Sequence, residues 1–133
     1  FCINADNWFA DTPDHALARM AAVWDAATMD VLMLVVPFAL AGNTQGQGDF
    51  DLDPAGRLSR DGPKRQRPYV WTGIQLLSKQ VVADPPSEAF STNLFWDRAI
   101  TSGRGFGLVH DGSWFEVGYP AAIAMTEEAL AGG

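Results

Sequence analysis

One cysteine in 133 residues leaves no partner for an internal disulfide, which fits a reducing compartment; Cys2, in the first apolar run, reads as inert core packing. Basic residues are also scarce. Nine of them stand against 16 acids, for a formal charge of -7, and a chain so acidic is disfavoured as a partner of nucleic acid, whose backbone is bound by positive charge. The longest strongly apolar run, Val31 to Leu40, is too short to span a bilayer. Residues 1–15 lack the basic start and apolar middle of a signal peptide, which for a truncated N-terminus says nothing about the parent protein; the expected location is cytoplasmic, with no membrane partner. With 47% hydrophobic residues the composition is that of a globular protein, and the length allows one sizeable core: one domain or a piece of one.

Five of the nine basic residues, Arg57, Arg60, Lys64, Arg65 and Arg67, fall within eleven positions. Such a patch suits either a small phosphorylated ligand or a solvated loop, and the spacing does not choose between them.

The chain opens on Phe1-Cys2-Ile3-Asn4-Ala5-Asp6-Asn7, a short apolar run ending in polar residues. It reads as a buried strand that delivers a carboxylate at its C-terminal tip, where open α/β sheets bind ligands. Thr12-Pro13 looks like a cap followed by a first-turn proline, and Ala16, Leu17, Met20, Ala21 and Trp24 recur at helical spacing, so a helix is expected over 13–26. His15 reads as a surface residue. Val31–Pro37 is apolar without alternation, as in a strand covered on both faces, and would lie parallel to and beside residues 1–6. A glycine-rich loop, Gly42 to Gly48, precedes an antiparallel hairpin through Asp53-Pro54-Ala55-Gly56.

A strand is expected over residues 68–77, with Gly73 marking a bulge or a close approach to the backbone. Lys79 to Asp84 reads as a short turn of helix. Ser91 is the expected cap of a helix through Ile100, 106–118 the expected hairpin around Asp111-Gly112, and 121–130 the last helix.

On chemistry alone two acids stand out: Asp6 at a strand tip and Glu116 after Trp114. Magnesium takes hard oxygen ligands, commonly one or two carboxylates plus substrate phosphates. Asn4-Ala5-Asp6-Asn7 would equally suit a metal-dependent glycosyltransferase using a nucleotide sugar, although that class pairs its aspartates as Asp-x-Asp and here the first position is Asn4.

Six motifs in order give the wider pattern: Ile3-Asn4-Ala5-Asp6-Asn7, Ala21 with Trp24-Asp25, the Val31–Pro37 run, Gly48-Asp49-Phe50 with Asp53-x-x-Gly56-Arg57, Tyr69-x-x-Thr72-Gly73-Ile74, and Asp111-Gly112-x-Trp114-x-Glu116-Val117-Gly118-x-Pro120. Together they resemble the bacterial sugar-phosphate nucleotidylyltransferases, most of all the N-acetylmuramate 1-phosphate uridylyltransferase branch and the relatives labelled mannose-1-phosphate guanylyltransferase-like. The resemblance covers essentially the whole chain.

It implies an α/β fold, the C-terminal portion of a three-layer α/β/α nucleotidyltransferase domain with a mixed, mostly parallel sheet. It implies Mg2+, held by Asp6 as the catalytic aspartate and by Glu116, where the family usually has aspartate. Gly48, Thr72, Gly73 and Trp114 fall where the family lines its sugar-phosphate pocket. The usual Glu-Lys-Pro is replaced in its region by Pro63-Lys64-Arg65, so either Lys64 or a neighbour takes the place of the lysine near the sugar phosphate, or sugar recognition has shifted.

The implied partners are a nucleoside triphosphate, UTP favoured, and a sugar 1-phosphate, with a homodimer possible. The family's opening strand and glycine-rich nucleotide loop are not in this sequence, so residues 1–133 are expected to be a partial domain, inactive alone, from an active parent. A non-catalytic homologue is the other alternative.

Overall fold

A computed structural model describes all 133 residues, Phe1–Gly133. The first strands are β1 (Cys2–Ile3) and β2 (Asn7–Phe9), followed by helix α1 (Ala16–Val23), β3 (Val31–Pro37) and β4 (Ala41–Gly42). Next come β5 (Asp51–Leu52), β6 (Leu58–Ser59), β7 (Tyr69–Leu77) and α2 (Asn93–Thr101). The chain closes with β8 (Gly105–Val109), β9 (Trp114–Glu116) and α3 (Pro120–Ala131).

The main sheet runs β1-β7-β3-β8. β3 is its axis: six successive residues, Val31 to Val36, are buried, as a strand covered on both faces requires. Its side chains alternate between two cores. Val31, Met33 and Val35 meet Phe95, Trp96 and Ala99 of α2 on one face; Leu32 and Leu34 meet Ala16 and Met20 of α1 on the other. Helices on opposite faces of one sheet make the expected three layers. No helix is long and apolar enough to cross a membrane.

Several expectations change. The sheet is mixed but not mostly parallel: β7 is antiparallel to both β1 and β3, and only β3 and β8 are parallel. Residues 1–6 and 31–37 are not neighbours, because β7 lies between β1 and β3. A three-residue apolar run carries no information about its neighbour, whereas the nine residues of β7 can pair along both edges. β1 is an exposed edge strand, with Phe1, Cys2 and Ile3 all exposed, so Cys2 is not core packing.

The first helix begins at Ala16 rather than Pro13. Asp11 Oδ1 accepts the Ala16 N–H at 2.9 Å, while the Thr12 hydroxyl donates to Asp111 at 3.0 Å. His15 is exposed, as expected. At the C-terminal helices the pattern holds closely; the Ser91 hydroxyl accepts the Asn93 N–H at 3.2 Å, although Thr92 occupies the capping position.

The hairpin of β5 and β6 forms as expected, but that of 106–118 does not. β8 stays in the main sheet, while β9 joins a second, three-stranded sheet of order β2-β9-β4. The turn between them docks on β2 instead of folding back: the Ala10 N–H donates to Ser113 O at 3.0 Å, and His110 Nε2 lies 3.1 Å from the Ala10 carbonyl. A Cβ on Gly112 would sit 2.0 Å from that carbonyl, so glycine permits the approach. The two sheets are joined by Val36, Val70 and Trp114, and the Trp114 indole N–H donates to Thr72 O at 3.0 Å.

Candidate active site

The cleft lies where the chain passes from one sheet to the other. The Asn4 N–H donates to Gly73 O at 2.9 Å as the final rung beside β7, and the chain then enters β2. Asp6 stands at this crossing. Its carbonyl accepts the Val117 N–H at 2.9 Å, and Asn7 faces Glu116 across the antiparallel β2 and β9 pair. Side chains two apart on a strand share a face. Asn7 and Glu116 therefore face the cleft with Trp114, while Trp8 packs edge-on against Phe115 on the opposite side.

Glycines make room for this arrangement. Gly73 has φ +89°, and a Cβ there would fall 2.3 Å from the Asn7 amide nitrogen and 3.1 Å from Asn4 Cβ. The close approach expected at Gly73 is thus two asparagines lying on the β7 backbone. Gly118 performs the same service for Asp6, whose Oδ2 would lie 3.2 Å from a Cβ at that position. The Asn7 amide donates to Asp6 Oδ1 at 3.1 Å, which orients the carboxylate.

The resulting cleft has a volume of about 280 Å³. It is lined by Asn4, Asp6, Asn7 and Glu116, by Thr44 and Gly46 of the glycine-rich loop, and by Asp49, Trp71, Gly73 and Trp114. Three carboxylates and no lysine or arginine line it. Asp49 is fixed to β7, its N–H donating to Tyr69 O at 2.7 Å and its Oδ2 accepting the Trp71 N–H at 2.8 Å. Partial withdrawal from water pushes the Asp49 pKa above the usual carboxylate value, against smaller opposing effects of the Trp71 N–H and of Arg60.

The loop is tied to the second candidate carboxylate. Asn43, at φ +61°, points its amide at Glu116 O (3.2 Å), Thr126 Oγ1 (2.8 Å) and Ala122 O (3.3 Å), and the Tyr119 hydroxyl donates to Asn43 O at 2.9 Å. This network fixes the loop against β9 and α3.

Of the residues picked from sequence, Asp6, Gly73, Trp114 and Glu116 are brought together in the lining. Gly48 is not part of it. With φ +83°, and with Arg67 O only 2.1 Å from where a Cβ would stand, Gly48 lets the loop lie against the segment leading to β7. Thr72 is buried, its hydroxyl donating to Leu34 O at 2.8 Å, so it supports the cleft from behind through Trp114. Lys64 is exposed on its loop outside the lining.

The basic stretch is largely committed to structure. Arg65 donates to both Asp51 oxygens at 2.8 Å, the buried Arg67 pairs with the same carboxylate and caps the Arg60 and Asp61 carbonyls, and Arg60 pairs with Asp97. Sequence reasoning passed over Asn4, Asn7, Thr44, Gly46, Asp49 and Trp71. The asparagines flank Asp6 and could have been taken with it; Asp49 lies inside a quoted motif.

The hard oxygen donors of Asp6 and Glu116, in an acidic cleft with no competing cation, fit magnesium. No group of three or more metal-ligating His, Cys, Asp or Glu residues occurs. A pair suffices for this ion, which keeps waters and takes substrate phosphates as its other ligands.

No protein-family model matches the chain. It is, however, 31% identical over 137 aligned residues to the N-acetylmuramate alpha-1-phosphate uridylyltransferase of Caulobacter vibrioides, an alignment covering 98% of this chain and 54% of that protein. Aligned along nearly its whole length, the chain is a distant homologue of that uridylyltransferase and spans about half of it.

Proposed function

We propose that the chain is the acceptor-binding and metal-holding part of a sugar-phosphate nucleotidylyltransferase, which joins a nucleoside triphosphate, UTP by preference, to a sugar 1-phosphate and releases pyrophosphate. The observation that carries this reading is the meeting at one cleft of Asp6, just before β2, and Glu116 on β9, in a chain homologous to a uridylyltransferase. The chain aligns with about half of that uridylyltransferase, and on this reading no residue of the chain is assigned to a triphosphate cradle.

Asp6 and Glu116 would hold magnesium, which when bound neutralises charge on the phosphates. Asn7 keeps the Asp6 carboxylate oriented, and Asn4 and Gly73 fix the chain on which it sits. Trp114 and Gly73 wall the sugar phosphate. The acceptor oxygen is already anionic and attacks the α-phosphorus in line with the departing pyrophosphate, so no strong general base is required. This suits a cleft that holds carboxylates but no histidine.

The test uses the full-length gene product, incubated with each nucleoside triphosphate and a panel of sugar 1-phosphates. Formation of a nucleotide sugar with stoichiometric pyrophosphate, best with UTP, is expected. Consumption of preformed nucleotide sugars without any from triphosphate would favour the glycosyltransferase alternative.

A further inference from the structure

Asp51, Asp53 and Asp97, the acids that meet the arginine-rich stretch, each take an arginine partner: Asp51 takes Arg65 and Arg67, Asp53 takes Arg57, and Asp97 takes Arg60. Asp49 takes none. One of its oxygens is engaged by the Trp71 N–H at 2.8 Å, and no protein donor reaches the other. Asp49 is solvent-exposed in the cleft lining, so this second oxygen is open to a ligand there. Its position is nonetheless well fixed, since the Asp49 N–H and the Trp71 N–H both bind it to β7.

Chemistry narrows what it can meet. A lone carboxylate repels phosphate and accepts hydrogen bonds from neutral hydroxyls, which it can take two at a time. The same cleft lining carries Asp6 and Glu116, the pair suited to a cation and hence to the phosphate end of a ligand. Resting on the functional reading above, we propose that Asp49 is a specificity residue: it receives the hydroxyls of the sugar, so that the acceptor lies across the cleft with its phosphate toward Asp6 and Glu116.

The test measures initial rates of the full-length gene product with a sugar 1-phosphate and its single-deoxy analogues. In the wild type, KM for at least one deoxy analogue should exceed that of the parent sugar by about tenfold, the worth of a hydrogen bond to a charged group. Asp49→Asn retains an acceptor for the Trp71 N–H but loses the charge. It should raise KM for the parent sugar about tenfold, shrink the deoxy discrimination to within about twofold, and leave kcat within about threefold. Asp49→Ser, with a hydroxyl as acceptor, should do the same and guards against a folding defect in one variant. Unchanged deoxy discrimination in either folded variant, or a fall in kcat with KM constant, overturns the assignment while leaving the functional reading intact. Turnover of no sugar 1-phosphate by the wild type overturns the functional reading, and the assignment with it.

Discussion

The Asp6 carbonyl accepts the Val117 N–H at 2.9 Å, so the residue with the first candidate carboxylate is stitched to the end of the strand bearing the second, Glu116. Two acids separated by most of the chain are made neighbours by one short antiparallel pairing, and the cleft depends on that register.

Gly73→Ala tests the packing beneath Asp6. An alanine would carry φ +89° and push its Cβ onto the Asn7 amide, a contact of 2.3 Å. A loss of about 1–3 kcal/mol is expected from the strained backbone, read from the urea midpoint. An unchanged midpoint would mean that the asparagines do not rest on β7 as described.

Core and edge should respond oppositely. Met20 is fully buried against Leu32 and Leu34, so Met20→Ala should cost about 2–5 kcal/mol. Cys2 is exposed, so Cys2→Ala should change stability by less than about 0.5 kcal/mol. A large loss at Cys2 would return β1 to the interior.

Ion pairs set the acid sensitivity. The buried Asp30 loses solvation, which raises its pKa, but hydrogen bonds from Arg104 and Ser78 outweigh this and hold it below the usual carboxylate range. Asp51 is held low by the Arg65 hydrogen bonds and by Arg67. Carboxylates with depressed folded values contribute stability that is present above the unfolded pKa, about 3.9, and is lost as pH falls through the folded values. Asp49, shifted upward, has the opposite sign: its contribution is full below the unfolded value and lost as pH rises through the folded one. Arg104→Ala should therefore cost about 3 kcal/mol at neutral pH, because it strands a buried carboxylate, and less once Asp30 is protonated. Urea melts at neutral and acid pH check this; an equal loss at both would show that the charge is not what Arg104 serves.

The parts legible in sequence were those whose side chains declare their surroundings. Val31–Pro37 has no alternation because two helices cover it, and the β5 and β6 hairpin follows from its turn residues. Strand order was not legible. Phe1-Cys2-Ile3 reads alike at the centre or the edge of a sheet, and what places it at the edge is pairing with β7, far away in sequence. Asp111-Gly112 signals a tight turn between paired strands, but tertiary contact with Ala10 sends β9 into another sheet. Glu116 ends β9 as a strand-end acid, whereas Asp6, expected at a strand tip, lies in the bend between β1 and β2. The role of Asn7, which depends on facing Glu116, was not legible.

Glu116 stands opposite Asn7 with its backbone secured by Asn43, so carboxylate position is set by the main chain and side-chain length sets only the reach. In the full-length gene product Glu116→Asp should keep kcat within about threefold, and Glu116→Ala should lower it at least about tenfold. Asp111 is no substitute, since Thr12 and Arg19 already occupy it. A silent Glu116→Ala would remove the second ligand from the account and leave Asp6 alone.

The most direct measurement is pyrophosphate release from UTP and a sugar 1-phosphate by the full-length gene product, wild type and Asp6→Asn, across a magnesium titration. Asparagine can still accept the Asn7 hydrogen bond, so the fold should persist while the charge is lost. The account predicts a fall in kcat of at least about a hundredfold, roughly 2.7 kcal/mol, that excess magnesium does not restore. Near-full kcat for Asp6→Asn at saturating magnesium would contradict it.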